Sequence, residues 1–194
     1  MMHPFDRARK RQPLATIEAK RICLIKPSAL GDVVQTLPVL SALRTRFPQA
    51  HIAWVVNHAY ADLLAGHPHL NEVIPFERSR AKIWSHAARN ALSTLLAELR
   101  DRRFDLVCDL QGLLRSGLMT RATRAARRVG LSDSREGARF FYTDVVEIPA
   151  ENVSAVDRYW LLADALGAGA GPKQFLVSLD DDYREWASRQ LAGL

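Results

Sequence analysis

The sequence predicts an α/β fold of the Rossmann type, a mostly parallel sheet with helices on both faces. Short apolar runs alternate with segments in which apolar residues recur at helical spacing, a pattern typical of βαβ units. The first apolar run ends in a polar turn that leads directly into a helix, and such turns face ligand at the carboxyl end of a parallel sheet. Because 48% of the 194 residues are hydrophobic, a sizeable core can form.

Strands and helices alternate regularly in the first half of the chain. Continuous apolar runs predict strands at residues 22–26, 51–56, 72–75 and 104–110. Helical spacing predicts a helix from Asp32 to about Phe47, a short helix over 60–64 and a long amphipathic helix over 81–100. Pro38 lies inside the first of these helices and predicts a kink or an irregular first turn there.

The second half continues the pattern and then changes character. It predicts helices over 113–125 and 155–166, strands at 128–131 and 144–148, and a glycine-rich loop at 167–172. A last strand at 175–179 and a polar helix over 180–191 end the chain. We therefore expect a mobile basic tail at 1–20, a Rossmann-like domain at 21–172, and a strand and linker helix at 173–194 that lead toward a further domain.

Composition narrows the class of protein without naming it. The net charge of +6 favours an acidic partner, so nucleic acid, an anionic membrane surface and a phosphorylated substrate all remain open. Cys23 and Cys108 lie in apolar runs, which predicts buried free thiols. The histidines have no ligand spacing, so no metal site is predicted. The first twenty residues lack an apolar signal region and no run reaches the ~20 apolar residues of a membrane span, which predicts a cytoplasmic protein.

The turn at residues 27–32 is the first candidate site. It has neither GxGxxG nor GxxxxGK[ST], so it does not predict binding of a dinucleotide or of a P-loop nucleotide. Asp32 is the one carboxylate of this turn; it could cap the helix, or it could accept a proton from a sugar hydroxyl late in a reaction. Lys26 and Ser28 end the same strand, and the lysine could pair with Asp32, bind an anion or extend to solvent.

Two further segments carry polar groups that could share this ligand. Gln111 and Arg115 follow the fourth strand, where an amide suits sugar hydroxyls and a guanidinium suits phosphate or carboxylate. The segment 134–142 mixes arginines with aromatic residues, and Arg135 in its loop is the candidate for anion binding. Ordinary caps and surface contacts would explain each of these residues equally well from spacing alone.

Three motifs together resemble a known family. Residues 26–38, KPSALGDVVQTLP, strongly resemble the opening motif of glycosyltransferase family nine, the heptosyltransferases of the lipopolysaccharide inner core. Residues 105–116, DLVCDLQGLLRS, look like its second signature. The residues Ser134 to Gly137, followed by Phe141 and Tyr142, are similar to its third.

The resemblance implies the N-terminal domain of a GT-B glycosyltransferase, metal-independent and inverting, without a resident cofactor. It implies that Asp32 is the general base, and that the acceptor, a phosphorylated Kdo-lipid A type glycolipid, is bound by residues of the three motifs. These acceptor-binding residues are Lys26, Ser28, Gly31, Gln111, Arg115, which stands where the family commonly has lysine, and Arg135. It also implies peripheral association with the inner membrane.

The chain departs from the family pattern in length. Family members continue with a second domain that binds the nucleotide-sugar donor, usually ADP-heptose, whereas this sequence ends at Leu194 in a predicted linker helix. The resemblance therefore predicts an acceptor-binding half that lacks the donor domain and is inactive alone. The alternative is a non-catalytic domain that binds anionic glycolipid. Nucleic-acid binding is supported only by the net charge and by the arginine and aromatic residues of segment 134–142.

Overall fold

The computed structural model describes residues 12–77, 86–149, 153–178 and 181–192. At its centre lie six strands, which are β1 (Arg21–Ile25), β2 (His51–Asn57), β3 (Glu72–Phe76), β4 (Leu106–Asp109), β5 (Arg127–Leu131) and β6 (Asp144–Val146). They form one sheet in the order β3-β2-β1-β4-β5-β6, and every neighbouring pair is parallel. The predicted α/β class with a parallel sheet is confirmed.

The strand order reverses between β1 and β4. These two strands lie side by side in register, with Ile22 opposite Leu106 and Ile25 opposite Asp109. The chain leaves β1 toward β2 on one side and leaves β4 toward β5 on the other, so their following loops diverge and open a crevice. A ligand site at this switch point is the default expectation for such a sheet.

Helices cover both faces of the sheet. They are α1 (Leu30–Arg46), α2 (Ala61–Leu64), α3 (His86–Asp101), α4 (Leu114–Ala122), α5 (Ala155–Ala165) and α6 (Asp181–Leu191). Helix α1 packs against α5, whereas α3 packs against α4. Helix α1 continues through Pro38, which is buried. None of the helices in the described ranges is long and apolar enough to cross a membrane.

Alternate residues of β1 serve two separate cores. Ile22 and Leu24 belong to the cluster that includes α1 and α5 residues, whereas Cys23 and Ile25 belong to the cluster that includes α3 residues. This alternation explains the continuous apolar run, because a strand between two helical layers is buried on both faces. Cys23 and Cys108 are buried free thiols as predicted, and burial raises the pKa of both.

The predicted tail at residues 1–20 is wrong for its second half. Residues 12–20 pack on the domain: Ile17 is 4% exposed, the Lys20 amide donates to Asp105 at 2.8 Å, and Arg127 donates to the Gln12 carbonyl at 2.8 Å. This packing could not be predicted from local pattern, because a single buried isoleucine has no periodicity. The basic run at residues 7–11 lies outside the described residues, as do residues 81–85 of the predicted third helix.

The predicted strand at 175–179 is also wrong. Residues 172–178 have no regular secondary structure, and Leu179 lies outside the described residues. The Leu176 carbonyl accepts a hydrogen bond from His67 Nε2 at 2.9 Å. This carbonyl is therefore paired with a side chain instead of with the backbone of a neighbouring strand. Phe175 stays 49% exposed. The apolar run therefore lies on the surface beside the loop that precedes β3.

Candidate active site

Asp32 lies at the carboxyl edge of the sheet, in the first turn of α1. Its Oδ2 accepts a hydrogen bond from the backbone N–H of Ala29 at 3.3 Å, and Ala29 is the residue that precedes the helix. Asp32 is therefore the third residue of the helix rather than its N-cap, and its carboxylate satisfies one of the amides at the helix start. The side chain keeps 37% of its surface exposed, so a ligand can reach it.

Two buried side chains, those of Lys26 and Tyr159, bind the Asp32 carboxylate from the protein interior. Lys26, at 2% exposure, places its Nζ 3.2 Å from Oδ2. The hydroxyl of Tyr159, from α5, donates to Oδ1 at 3.0 Å, and the Lys26 ammonium lies 5.0 Å from the centre of the Tyr159 ring. Lys26 is thus a buried partner of Asp32 and does not extend to solvent.

These contacts determine the protonation of the pair. Burial acts to raise the pKa of the Asp32 carboxyl, but Lys26, the Tyr159 hydroxyl and the Ala29 amide stabilise the anion and hold that pKa below its ordinary value. Burial lowers the pKa of Lys26, and the carboxylate partly opposes this effect. The carboxylate is consequently ionised at neutral pH and is a hydrogen-bond acceptor.

Arg158 extends this arrangement toward the loop after β5. Its guanidinium binds both carboxylate oxygens of Asp133, at 2.5 and 2.8 Å, and lies 5.2 Å from the centre of the Tyr159 ring. Neither Tyr159 nor Arg158 was singled out from the sequence. The sequence predicted only a helix over 155–166 at this place, and helical spacing carries no information on what the Tyr159 hydroxyl contacts.

A second carboxylate, that of the buried residue Asp109, organises the turn after β4. Its Oδ1 accepts the backbone N–H groups of Gln111 and Gly112 at 3.0 and 3.1 Å, and its Oδ2 accepts the Tyr142 hydroxyl at 2.8 Å. Burial raises the pKa of Asp109 despite these donors. The Gln111 side-chain oxygen in turn accepts the Ser28 amide at 3.2 Å. The turns after β1 and β4 therefore meet, as expected for a switch point.

The segment 134–142 packs directly on the second turn. The Arg135 amide donates to the Gly112 carbonyl at 2.7 Å, and Glu136 accepts the Leu114 amide at 3.2 Å. Gly112 has φ +68°, and a Cβ there would lie 3.2 Å from Ser134 Cα, so a side chain at this position would be strained and crowded. The three motif segments form one continuous structure at this edge of the sheet.

A cavity of about 410 Å³ opens beside these turns, on the side of α3 and α4. Of the predicted acceptor-binding residues, Ser28, Gln111 and Arg115 line it, and the Arg115 guanidinium lies 5.5 Å from the centre of the Phe76 ring. The other lining residues are Pro27, Asn57, Phe76, Glu77, Arg89, Leu92, Leu113, Leu114, Ser116, Leu118 and Glu136.

The remaining predicted residues lie outside the cavity lining. Lys26 and Asp32 form the buried pair, and Gly31 adjoins them with open space where a Cβ would be. Arg135 is exposed on the turn that packs on Gly112. Arg89, which lines the cavity, was not singled out from the sequence, which predicted only an amphipathic helix over 81–100 there. No group of His, Cys, Asp or Glu that could hold a metal ion occurs among the residues with described positions.

Comparison with known proteins gives consistent matches. The family model for glycosyltransferase family 9 (heptosyltransferase) matches residues 92–191. The chain is 36% identical to lipopolysaccharide heptosyltransferase 1 of Pseudomonas aeruginosa over 121 residues, which cover 61% of this chain and 34% of the relative. It is 32% identical to lipopolysaccharide heptosyltransferase 1 of Escherichia coli K12 over 181 residues, covering 86% of this chain and 56% of the relative.

A solved structure agrees with these relatives. The E. coli heptosyltransferase WaaC, solved with ADP-2-deoxy-2-fluoro heptose, superposes with a TM-score of 0.68 and 28% identity, covering 80% of this chain and 51% of that one. The chain thus spans about half the length of the E. coli proteins that it matches.

Proposed function

Because the chain belongs to glycosyltransferase family 9, we propose that it supplies the acceptor side of an inverting, metal-independent heptose transfer to the lipopolysaccharide inner core. The observation that carries this proposal is the Asp32 carboxylate, which is ionised, partly exposed and held at the switch point of the sheet beside a cavity with two arginines. The names of the P. aeruginosa and E. coli relatives supply the sugar and the acceptor.

Asp32 is proposed as the general base. As the acceptor hydroxyl attacks the anomeric carbon of the donor, the bond from that carbon to the nucleotide diphosphate breaks and the diphosphate leaves with the bonding electrons. The hydroxyl proton passes to the carboxylate as charge develops on the attacking oxygen, which suits a base whose ordinary basicity is low. Oδ1 has one donor, Tyr159, whereas Oδ2 has Lys26 and Ala29, so Oδ1 has more room for this proton.

The acceptor is proposed to occupy the cavity. Arg115 and Arg89 provide cationic groups for the carboxylates and phosphates of an inner-core glycolipid, and Ser28 and Gln111 provide groups for its hydroxyls. Arg135 is proposed to bind an anionic group at the rim, and Gly31 to leave space beside Asp32. We assign Lys26 a different role from the one first expected, because its ammonium lies buried against Asp32 and holds that carboxylate in place.

The donor is proposed to be a nucleotide sugar such as ADP-heptose. A solved relative was crystallised with an ADP-heptose analogue, and its structure is about twice as long as the region matched here. We propose that the donor is bound in the half of the relatives to which this chain does not align, that no resident cofactor is needed, and that the protein works peripherally at the inner membrane from the cytoplasm.

Transfer is best tested in a chimera that joins these residues to the remaining half of the P. aeruginosa heptosyltransferase. Labelled heptose should pass from ADP-heptose to the acceptor, and Asp32→Asn should lower kcat by about 10²–10⁴-fold, the usual contribution of a general base. Arg100→Gln, a charge change on the exposed end of α3, is the matched control for folding and assembly. A chimera that binds both substrates and transfers heptose normally without Asp32 would reject the assignment.

A second function is favoured by the donors around Asp32. A carboxylate with three hydrogen-bond donors and a low pKa is a weak base, which suits a domain that only binds anionic glycolipid. The same chimera separates the two functions, because a binding domain would retain the acceptor and transfer no sugar.

A further inference from the structure

The ring of Tyr159 has two cations near it. The Lys26 ammonium lies 5.0 Å from the ring centre, and the Arg158 guanidinium lies 5.2 Å from it. Tyr159 is 2% exposed, and cations are attracted to an aromatic ring most strongly where water is largely excluded. Lys26 also binds Asp32 directly, whereas the side chain of Arg158 donates its hydrogen bonds to Asp133. Arg158 can therefore influence Asp32 in two ways, through Tyr159 or through its charge.

Asp133 determines how the Arg158 guanidinium is oriented. Nε of Arg158 donates to Oδ2 of Asp133 at 2.5 Å, and Nη2 donates to Oδ1 at 2.8 Å. Because the guanidinium is planar, two hydrogen bonds to one carboxylate fix the direction of its plane. The side chains of Arg158 and Asp133 are 23% and 42% exposed, so either can be substituted without opening the core. The pair holds the guanidinium beside the Tyr159 ring.

Asp133 lies on a turn that its neighbours fix to the sheet. The Ser132 amide donates to the Val146 carbonyl at 2.9 Å, and the Ser134 amide donates to the Leu131 carbonyl at 3.2 Å. Both acceptors are the last residues of strands, β6 and β5 respectively. Asp133 thus stands directly before the third motif, in a position that is set by the sheet.

Arg158 strengthens the hydrogen bond that Tyr159 donates. Burial raises the pKa of the Tyr159 hydroxyl, as does the Asp32 carboxylate, whereas Arg158 acts to lower that pKa. A more acidic hydroxyl is a stronger donor to a carboxylate. The main influences on the pKa of Asp32 itself are burial, Lys26, Tyr159 and Ala29. These directions favour an effect of Arg158 through Tyr159 over a direct effect of its charge.

We propose that Arg158 and Asp133 are positioning residues for the Asp32 carboxylate. Asp133 fixes the guanidinium, the guanidinium holds the Tyr159 ring, and the Tyr159 hydroxyl orients the carboxylate. Arg158 and Asp133 contact no reacting atom, and the turn before the third motif thereby supports the carboxylate of the first motif through α5. The proposal rests on the proposed function only where it treats Asp32 as a base, because the contacts themselves do not depend on that role.

Carbon-13 NMR titration of the Asp32 carboxyl in this chain tests the proposal without a substrate. Arg158→Gln should raise the pKa of Asp32 by about 0.5, less than Tyr159→Phe does, because the donor is weakened rather than removed. In the Tyr159→Phe background, Arg158→Gln should have no further effect. An equal rise in both backgrounds would show that the charge of Arg158 acts directly and would overturn the proposal, as would an unchanged pKa in Arg158→Gln.

The other charged groups around this contact are the same in every variant. Lys26 binds Asp32 from the end of β1, and Asp109, at the end of β4, acts on the pKa of Lys26. Neither residue is substituted, so their effects on the titration cancel when variants are compared.

Asp133→Ala separates the two mechanisms by sign. If Asp133 acted only through its field, loss of this anion would lower the pKa of Asp32. Loss of the partner that fixes Arg158 should instead raise that pKa, by as much as Arg158→Gln does. The two substitutions combined should raise it no further than either alone. A fall in the pKa of Asp32 in Asp133→Ala would reject the positioning role of the pair.

Arg127→Gln is the matched control. Arg127 binds both carboxylate oxygens of Asp144, at 2.8 and 3.0 Å, and both side chains are 15% exposed. It is the first residue of β5, at the amino edge of the sheet, whereas Asp32 lies at the carboxyl edge. The variant should lose stability in urea unfolding and leave the Asp32 titration unchanged. A shift as large as that in Arg158→Gln would show that general loosening explains the effect, and the proposal would be wrong.

Heptose transfer by the chimera separates this proposal from the proposed function. Arg158→Gln should lower kcat about tenfold with KM for the acceptor unchanged, because it orients the base and contacts no substrate. As the pH is lowered, kcat should begin to fall at a higher pH than in the wild type, following the raised pKa of Asp32. If the NMR shift appears while kcat and its pH profile are unchanged, Asp32 is not the base and the positioning of its carboxylate stands. If KM rises and kcat does not fall, Arg158 binds the acceptor and the positioning proposal is wrong.

Discussion

The hydroxyl of Tyr159 donates a hydrogen bond to Oδ1 of Asp32 at 3.0 Å, across 127 positions of the sequence. The contact exists because α5 returns to pack against α1, and it places a buried donor under the proposed base. The Asp32 carboxylate is therefore oriented from the core, while its other side faces the crevice.

Tyr159→Phe should raise the pKa of Asp32, because the anion loses a donor that stabilises it. Since the pKa of Asp32 is lowered in the folded protein, this group stabilises the fold above its unfolded pKa, and the contribution is lost as pH falls through the folded pKa. In the variant this pH-dependent loss should be smaller and should be complete at higher pH, with about 1–2 kcal/mol less stability at neutral pH. Carbon-13 NMR titration of the Asp32 carboxyl, with urea unfolding, measures both effects.

Tyr142→Phe is the control for that titration. It removes another largely buried tyrosine hydroxyl, which donates to Asp109 rather than to Asp32. The Asp32 titration should not move in this variant. An Asp32 pKa that is the same in Tyr159→Phe and in the wild type would show that the hydrogen bond has no influence on the base.

Loss of the Asp32 charge should destabilise the fold through Lys26. The ammonium is 2% exposed and would remain buried without its counter-ion in Asp32→Asn. Because Asp32 itself is one-third exposed, we expect about 2 kcal/mol, below the usual cost of breaking a fully buried pair. The double variant Lys26→Met with Asp32→Asn should recover most of this loss, and urea unfolding of the four proteins gives the coupling energy. Additive losses would show that the pair does not interact.

The sequence predicted the part of the site that depends on local patterns. An apolar run, a polar turn and a helix placed Asp32 at the end of β1, and the same sequence of features placed Gln111 at the end of β4. Because parallel strands end at a common edge, the meeting of these two turns followed from topology, and the Ser28–Gln111 contact confirms it.

The buried residue that orients Asp32, Tyr159, could not be predicted from such local patterns. Tyr159 has the spacing of an ordinary core residue, and its role depends on which helix α5 contacts after more than a hundred intervening residues. The apolar run at 175–178 is the reverse situation, because its sequence is typical of a strand but these residues do not join the sheet. In both cases a tertiary contact decides the outcome. For Tyr159 this contact has no local sequence pattern, and for residues 175–178 it prevails over the local preference for a strand.

Asp109 should make the protein less stable as pH rises. Burial raises its folded pKa above the unfolded value, so the folded state holds a proton that the unfolded state has lost between those two pKa values. Stability from this group is therefore present at acid pH and declines as pH rises toward the folded pKa. Asp109→Asn removes this titration, so the stability of the variant relative to the wild type should increase over that window in urea unfolding.

Asp109→Ala tests whether the Asp109 side chain is needed as a hydrogen-bond acceptor. It leaves the amides of Gln111 and Gly112 and the Tyr142 hydroxyl without their acceptor, at about 1–3 kcal/mol for each buried donor. We expect a loss of at least about 3 kcal/mol, whereas Asp109→Asn keeps an acceptor for the amides and should cost much less. Equal losses in the two variants would show that the carboxyl group is not the acceptor that organises this turn.

A substitution at Gly31 tests whether this position of the first motif contributes to ligand binding rather than to stability. A Cβ at this position would meet nothing within 4 Å, and the residue lies in the first turn of α1. Gly31→Ala should therefore keep or raise stability by about 0.5–1 kcal/mol, because alanine favours the helix. If the space beside Asp32 holds the acceptor, the same methyl group should weaken acceptor binding and heptose transfer in the chimera at least tenfold.

Gly130→Ala provides the contrasting case. Its Cβ would lie 2.1 Å from the Tyr142 ring, so we expect a stability loss of about 3 kcal/mol or more from overpacking, measured by thermal or urea unfolding. Reduced function in this variant should follow the unfolded fraction, whereas reduced function in Gly31→Ala should appear in a fully folded protein. Normal acceptor binding by Gly31→Ala would show that the open space beside Asp32 is not part of the acceptor site.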